Sequence, residues 1–511
     1  MARKQVDVVL VNPGGRSAIY QSLASTLAAV EPPVWAGLMA SVVRRRGYTV
    51  ALIDVDAEDL SPEETAQRIE DLAPILTAIV VYGHQPSAST QTMPGASAVC
   101  TAIKQRTPQQ RVLLVGGHVA ALPERSLREE VADFVCGGEG PVTLLELLEA
   151  LRAGRVEDLR RVRGLWYRDR DQIVTTPPAP LVKDLDSEMP GLAWDLLPMD
   201  RYRAHNWHCF DGLQRQPYAA LYTTLGCPYH CSFCCIQSPF KTGEQVLGYK
   251  TGSNSYRYWS PQAVIAEIDT LVTRYGVRNI KIADEMFVLN PKHVMGICDL
   301  ILARGYHLNI WAYARVDTVR DGMVDKLKAA GVNWLAFGIE AASERVRDDV
   351  QKGFGQEEIF KTIRMVQAAG IRVGANYIFG LPEDDLESMQ ATLDLALELN
   401  AEWANFYCTM AYPGSPLYER ALKEGWALPT RWSGYSQHSV DTTPLPTKYL
   451  SSSEVLRFRD QAFQTYFMSP RYLEMIERTF GVATVEHIRE MTSYKLERRG
   501  APASPVGSLA G

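Results

Sequence analysis

The stretch Thr224-Leu-Gly-Cys-Pro-Tyr-His-Cys-Ser-Phe-Cys-Cys235 decides how this chain is read. It follows an apolar run, Tyr218-Ala-Ala-Leu-Tyr222, where a strand is predicted. Cys227, Cys231 and Cys234 are spaced C-x3-C-x2-C, with Phe233 just before the last of them. Three thiolates on one short loop can hold three irons of a [4Fe–4S] cube and leave the fourth without a protein ligand. An open iron can bind and cleave a small molecule, whereas a fully ligated cluster mostly carries electrons. A zinc site is the alternative, but zinc loops pair two Cys or His knuckles to close a tetrahedron. The other cysteines, Cys100, Cys136, Cys209, Cys298 and Cys408, are scattered singly and supply no second knuckle. Cys235 adjoins Cys234 on an extended loop, so its side chain points away and is expected to serve packing.

Residues 216–425 around this loop alternate between β and α patterns. Strands are predicted at 219–223, 279–283, 309–313, 334–337, 374–379 and 403–409, with amphipathic helices between them. Six βα units predict a partial (βα)6 TIM-like barrel. In such barrels chemistry collects at the carboxyl ends of the strands, and the cysteine loop follows the first strand.

The loop resembles the cluster-binding loop of the radical S-adenosylmethionine (SAM) enzymes, in which SAM chelates the open iron through its amino and carboxylate groups. That resemblance implies roles for other strand ends. Phe233 belongs to the cluster loop and is expected beside SAM. Asp284 or Glu285, after the second strand, would accept hydrogen bonds from the SAM ammonium, a charge-assisted contact. Arg315 would pair with the SAM carboxylate. Glu340 is a candidate for the ribose or amine. Ile378-Phe-Gly-Leu-Pro-Glu383 matches the family's I-x-G-x-x-E turn, which would lay Ile378 and Gly380 against the adenine.

Residues 1–152 read as a separate unit. Apolar strands at 8–12, 49–54, 78–82, 111–115 and 133–136 alternate with helical patterns, predicting a flavodoxin-like, Rossmann-type α/β domain with a parallel sheet. Ligands bind such sheets at the carboxyl ends of the strands. Those ends carry small or polar residues: Asn12, Ser87, Gly116-Gly117-His118 and Gly138-Glu139-Gly140. The Gly116–His118 and Gly138–Gly140 turns and the Ser87-Ala-Ser-Thr90 loop resemble the cobalamin-binding domain that precedes many radical SAM cores. The Asp-x-His-x-x-Gly loop, whose histidine ligates cobalt in many cobalamin proteins, is absent. His118 is therefore expected as a turn or contact residue.

Residues 153–215 read as a linker, with a proline-rich centre at 175–180 that excludes a regular helix. Residues 426–511 predict a helical C-terminal domain closing the barrel, with helices near 453–468, where Ser453 is the expected cap, 472–480 and 485–496. A disordered tail is expected from Gly500. Tyr435, Gln437 and His438, in an irregular aromatic segment, are candidates for substrate contact.

Composition narrows the function class. At 511 residues more than one core is required. A net charge of −6 with interspersed signs argues against a nucleic-acid partner. No run reaches the roughly 20 apolar residues of a membrane span. The first residues pass from charge directly into a strand, unlike a signal peptide. Nine cysteines with three on one loop suit a reducing, cytoplasmic setting better than a disulfide framework. The resemblance implies three cofactors: a [4Fe–4S] cluster, SAM and cobalamin. It implies a methyltransferase that methylates an unactivated carbon of a small metabolite, fed by a flavodoxin- or ferredoxin-type electron donor. A cyclase or rearrangement enzyme with the same cofactors is the alternative, and a non-catalytic iron–sulfur or cobalamin sensor is the alternative of another class.

Overall fold

The computed structural model describes residues 6–154 and 156–499. The tail expected beyond Gly500 lies outside the described residues. Two sheets organise the chain.

The first sheet has the order β2-β1-β3-β4-β5-β6-β7. Its strands are β1 (Val8–Asn12), β2 (Val50–Asp54), β3 (Leu76–Val80), β4 (Val112–Val115), β5 (Phe134–Cys136), β6 (Leu165–Asp169) and β7 (Gln172–Thr175). The first five are parallel in the flavodoxin-like order 2-1-3-4-5, covered by helices on both faces. The last two form an antiparallel hairpin on β5. Residues 165–175, expected as linker, therefore extend this sheet. Their short alternating pattern was hidden by the adjoining proline-rich stretch.

The second sheet has the order β15-β14-β13-β12-β11-β8, parallel throughout, and β15 does not bond back to β8. It comprises β8 (Tyr218–Leu221), β11 (Asn279–Ile282), β12 (Asn309–Ala314), β13 (Val332–Glu340), β14 (Arg372–Phe379) and β15 (Trp403–Cys408). A two-stranded ribbon, β9 (Thr224–Leu225) with β10 (Arg257–Tyr258), flanks the cysteine loop. The result is an open (βα)6 barrel.

The segment after the hairpin plugs the barrel from below. Trp207 meets Trp311 and Trp334 at 5.1 Å between ring centroids, and Trp403 at 6.1 Å, all near the starts of their strands. Asn309 Nδ2 donates to the His208 carbonyl at 3.0 Å. Burying four indole rings at the amino ends closes that end to water and leaves the carboxyl ends as the working face.

Helices Ser452–Phe467, Pro470–Phe480 and Val482–Ser493 cover the open edge. Arg459 Nε donates to the Phe406 carbonyl at 2.8 Å, and the Tyr466 hydroxyl to the Ala401 carbonyl at 2.6 Å. An unpaired strand edge is thereby shielded. The first of these helices is capped by Ser451, not Ser453: Ser451 and Glu454 form a reciprocal capping box. Among the described residues no helix is long and apolar enough to cross a membrane.

Candidate active site

The carboxyl ends of the two sheets face one another across a single cavity of about 1350 Å³. That exceeds the volume of ordinary single-ligand pockets, roughly 300–1,000 Å³. One wall comes from the first sheet, through Asn12, Gly83 and Ser87. The facing wall comes from the barrel and carries Cys227, Cys231, Cys234, Glu285, Arg315 and Glu340.

The cysteine loop is shaped before any metal binds. Gly226 has φ +85°, and a Cβ there would lie 2.3 Å from the Ser255 carbonyl oxygen, so only glycine fits ahead of Cys227. The Cys227 amide donates to Gln237 Oε1 at 3.0 Å, and Gln237 in turn donates to Glu244 at 2.7 Å. The Cys234 amide donates to the Cys231 carbonyl at 3.0 Å, closing the turn. All nine cysteines are free thiols. Burial pushes Cys227 up to about 12 and Cys234 well above the ordinary thiol range, so a metal must displace those protons. Among the described residues no three His, Cys, Asp or Glu side chains converge as a single-ion site. A cube takes one thiolate per iron, so its ligands stand apart. Cys235 is buried but borders the same cavity.

The structure separates the adjacent acids. Asp284 is fully buried and accepts from the Thr223 amide at 2.6 Å and the Thr223 hydroxyl at 2.5 Å, tying the end of β11 to that of β8. It does not line the cavity. Glu285 does, and its Oε1 is buried without a partner. Burial pushes Glu285 up to about 7, with Lys281 opposing and Asp284 adding to the rise. A buried acceptor without a donor is an unmet demand, which an ammonium group would satisfy. Glu285→Gln is expected to weaken SAM binding about tenfold or more, while Asp284→Asn lowers the melting temperature and leaves SAM affinity within about threefold. Equilibrium dialysis with SAM and a thermal melt separate the two; a larger SAM defect in Asp284→Asn overturns the assignment.

Arg315 lies beside the cysteine loop. Its Nη1 is 3.8 Å from Cys231 Sγ, its guanidinium stacks 4.2 Å over Tyr229, and Asp317 accepts from Nε at 2.8 Å. Glu340 stands in the left-handed region at φ +66° and forms a short ion pair with Lys352. Burial opposes the charge of Lys352, but Glu340 and Cys231 outweigh it and hold its pKa above the usual value. Lys352 itself lines the cavity, and no local sequence pattern marks it. Phe233 and Ile378 also border it and pack on one apolar cluster. Gly380 does not: its bare face meets Val455, where a Cβ would sit 2.4 Å from Cγ1. Its place in the turn serves the close approach of the helix Ser452–Phe467 rather than the cavity.

The residues expected to contact cobalamin divide likewise. Asn12 and Ser87 line the cavity, with Asn12 Nδ2 donating to Asp54 at 2.8 Å. Gly117 and His118 border a small adjoining hollow, together with Glu285. His118 is buried, bonded to Thr90 at 3.1 Å and set edge-on against Trp432; burial, with Arg125 nearby, pushes it down to about 3. Gly116, Gly138, Glu139 and Gly140 line neither space. Gly116 is pressed on the Val81 carbonyl and Gly140 on Met39. Glu139 pairs with Arg257 at 2.7 Å and accepts from the Val182 amide at 2.9 Å, tying the first sheet to the ribbon and to the segment that follows the hairpin. Of the substrate candidates, Tyr435 is buried away from the cavity. Gln437 lines it, but its side-chain Oε1 accepts from the Cys408 amide at 3.2 Å. His438 lines it beside Tyr20.

A polar cluster that no local pattern signalled occupies the deep wall. Glu31 accepts from Lys281 at 3.1 Å and from the Tyr218 hydroxyl at 2.8 Å, with His84 3.7 Å away. Burial alone would raise the Glu31 pKa, but His84, Lys281, His205 and the Tyr218 hydroxyl hold it well below the usual carboxylate range. Lys281, inside an apolar strand, could have been suspected of facing inward; Glu31 could not.

A partial barrel with three thiols at the end of its first strand, facing a flavodoxin-like sheet across one cavity, defines a radical SAM enzyme joined to a corrin-binding domain. Family comparison agrees. Residues 221–396 match the radical SAM superfamily and residues 20–148 the B12 binding domain. The chain is 30% identical over 471 residues to an uncharacterised methyltransferase of Pyrococcus horikoshii, covering 92% of this chain and 94% of that protein. It is 27% identical to the anaerobic magnesium-protoporphyrin IX monomethyl ester cyclase of Cereibacter sphaeroides, covering 90% and 70%. The fold is shared with the radical SAM methyltransferase TsrM of Kitasatospora setae, solved with cobalamin and a [4Fe–4S] cluster, at a TM-score of 0.66, 17% identity and coverage of 91% and 89%. The chain belongs to the radical SAM enzymes that carry an amino-terminal B12 binding domain.

Membership implies a [4Fe–4S] cluster, SAM and cobalamin, and the residues present suit all three. Three thiols, an unpartnered carboxylate oxygen on Glu285 and a guanidinium beside Cys231 meet the first two. A cavity too large for one ligand, opening along Asn12, Gly83 and Ser87, suits the third.

Proposed function

We propose that this protein is a cobalamin-dependent radical SAM methyltransferase that methylates an unactivated carbon of a small metabolite. The observation that carries this is the continuity of the cavity: cysteine loop, Glu285 and the carboxyl edge of the first sheet border one space. Bound there, the cluster and SAM supply a hydrogen-abstracting carbon radical, and the corrin supplies a transferable methyl group. The chain's own residues hold and insulate. Cys227, Cys231 and Cys234 ligate iron, Glu285 receives the SAM ammonium and Arg315 its carboxylate. Phe233 and Ile378 offer apolar surface for the adenosyl group. Asn12 and Ser87 face the corrin. The tryptophan plug excludes water from below, which protects a reactive radical. Similarity to a methyltransferase along nearly its whole length supports the reading. An electron donor of flavodoxin or ferredoxin type and a reducing cytoplasm, where nine free thiols persist, accord with it.

A second reading, cyclisation with the same cofactors, is favoured by similarity to the ring-forming cyclase. Products separate the two. Anaerobically loaded protein with reductant and a cell extract depleted of protein is expected to release 5′-deoxyadenosine and S-adenosylhomocysteine in parallel. It is also expected to yield a product heavier by one methylene. Deoxyadenosine without S-adenosylhomocysteine, and no product heavier by one methylene, would favour the cyclase.

A further inference from the structure

The cavity wall supplied by the C-terminal helices carries two arginines and one carboxylate. Arg459 and Arg498 both bind Asp460, at 2.9 Å through Arg459 Nη1 and at 3.1 Å through Arg498 Nη2. All three line the cavity. The arginine side chains are only 7% and 10% exposed, whereas that of Asp460 is 41% exposed. Water screens the shared negative charge far more than the two buried positive ones. The nearby Asp441 is already paired with Arg499 at 2.7 Å, so it does not balance the excess.

Each guanidinium is fixed by the backbone. Arg459 Nε donates to the Phe406 carbonyl at 2.8 Å, and Arg498 Nη1 to the Gln437 carbonyl at 2.6 Å. Arg498 spends Nη1 on the Gln437 and Ser439 carbonyls and the Thr442 hydroxyl, and Nη2 on Asp460, so it contributes charge, whereas Arg459 Nη2 makes no hydrogen bond among the described residues and is the donor left for a ligand. Tyr407 and His438 line the same wall. Burial, reinforced by Arg459 and Arg498, pushes His438 down to about 3, so it stays neutral there. Phe463 lies 5.5 Å beneath the Arg459 guanidinium and gives the subsite an apolar floor.

We infer that Arg459 and Arg498 form a subsite for an anionic group, carboxylate or phosphate, on an otherwise apolar substrate, and thereby select acidic metabolites. The inference rests on the cavity being the substrate chamber. Buried guanidiniums with fixed orientation recognise planar or tetrahedral anions by charge-assisted hydrogen bonds.

The test reads binding, not turnover, so its failure is distinct from failure of the methylation reading. Holoenzyme loaded with cluster, cobalamin and SAM is dialysed against 8-anilinonaphthalene-1-sulfonate and against its uncharged parent, N-phenyl-1-naphthylamine. The sulfonate is expected to bind about tenfold tighter than the parent at low salt. Arg459→Gln is expected to remove that preference and leave parent binding within about twofold. Asp460→Asn is expected to raise sulfonate affinity about threefold by removing the screening carboxylate. Equal binding of the two probes, or a preference that survives Arg459→Gln, overturns the inference. If Arg459→Gln loses the parent as well, the wall has collapsed and Asp460→Asn decides: unchanged or weaker sulfonate binding overturns it. The other source of an anion is the corrin's own phosphodiester. Cobinamide, which lacks that phosphate, distinguishes it. Arg459→Gln is expected to leave the retention of cobalamin and that of cobinamide each unchanged from wild type. Loss of cobalamin alone in the variant assigns the arginines to the corrin and overturns the substrate role.

Discussion

Replacing Cys231 by alanine is expected to abolish the [4Fe–4S] absorbance after reconstitution and to cut 5′-deoxyadenosine formation by more than about a hundredfold. Loss of groups that merely orient a metal ligand costs about 10–100-fold, and loss of the ligand itself costs more. Cys227→Ala and Cys234→Ala are expected to do the same, because each thiolate serves a different iron. The loop should keep its shape. Its turn is closed by backbone bonds and by Gln237, and among the described residues the hydrogen-bond contact of the Cys231 thiol is with Arg315, at 3.8 Å. Cys235→Ala is the control, expected to retain the cluster with a small stability loss. Iron and sulfide content with deoxyadenosine yield measures all four. A cluster retained in Cys231→Ala and lost in Cys235→Ala would exchange their roles.

The second large effect is expected at Glu139. Its pairing with Arg257 leaves 3% and 7% of the two side chains exposed. Removing one partner strands a buried charge, at a cost of about 3–5 kcal/mol. Glu139→Ala should therefore lower the denaturation midpoint markedly, and cobalamin retention should fall only as stability does. The paired change Glu139→Leu with Arg257→Met removes both charges and is expected to recover most of the loss, since apolar replacement of a buried pair is often neutral. Cobalamin lost from Glu139→Ala with an unchanged midpoint would instead restore the ligand role that its strand-end position suggested.

That contrast shows what kind of information a sequence holds. Glu139 lies where corrin-contacting residues are expected, between two glycines at a strand end. Its partner is 118 residues away, on the ribbon that flanks the cysteine loop. Asp284 and Glu285 are equally plausible as letters. Thr223 claims the first and leaves the second facing the cavity, which follows from β8 and β11 being neighbours in register. Gly380 sits within a recognisable turn, yet its missing side chain is required by a helix more than seventy residues later. The hairpin at 165–175 is not legible in the sequence, because short strands beside prolines carry little periodicity.

The sequence by itself determined the features that depend on neighbouring residues. These are the cysteine spacing that suits a cluster with an open iron, the apolar strands alternating with amphipathic helices in both halves, and the small residues at strand ends. Each follows from spacing or periodicity within one element, so no distant partner is needed to read it. Only the tertiary structure decided which polar side chains are consumed by packing and which remain free for ligands. Hydrogen bonds and ion pairs between distant segments, such as Glu31 with Lys281 and Arg459 with Asp460 and Arg498, set burial and net charge in the cavity. Those two quantities fix what the cavity can hold, because a buried charge is tolerated only beside a partner, and a donor or acceptor left over from that pairing is open to a ligand.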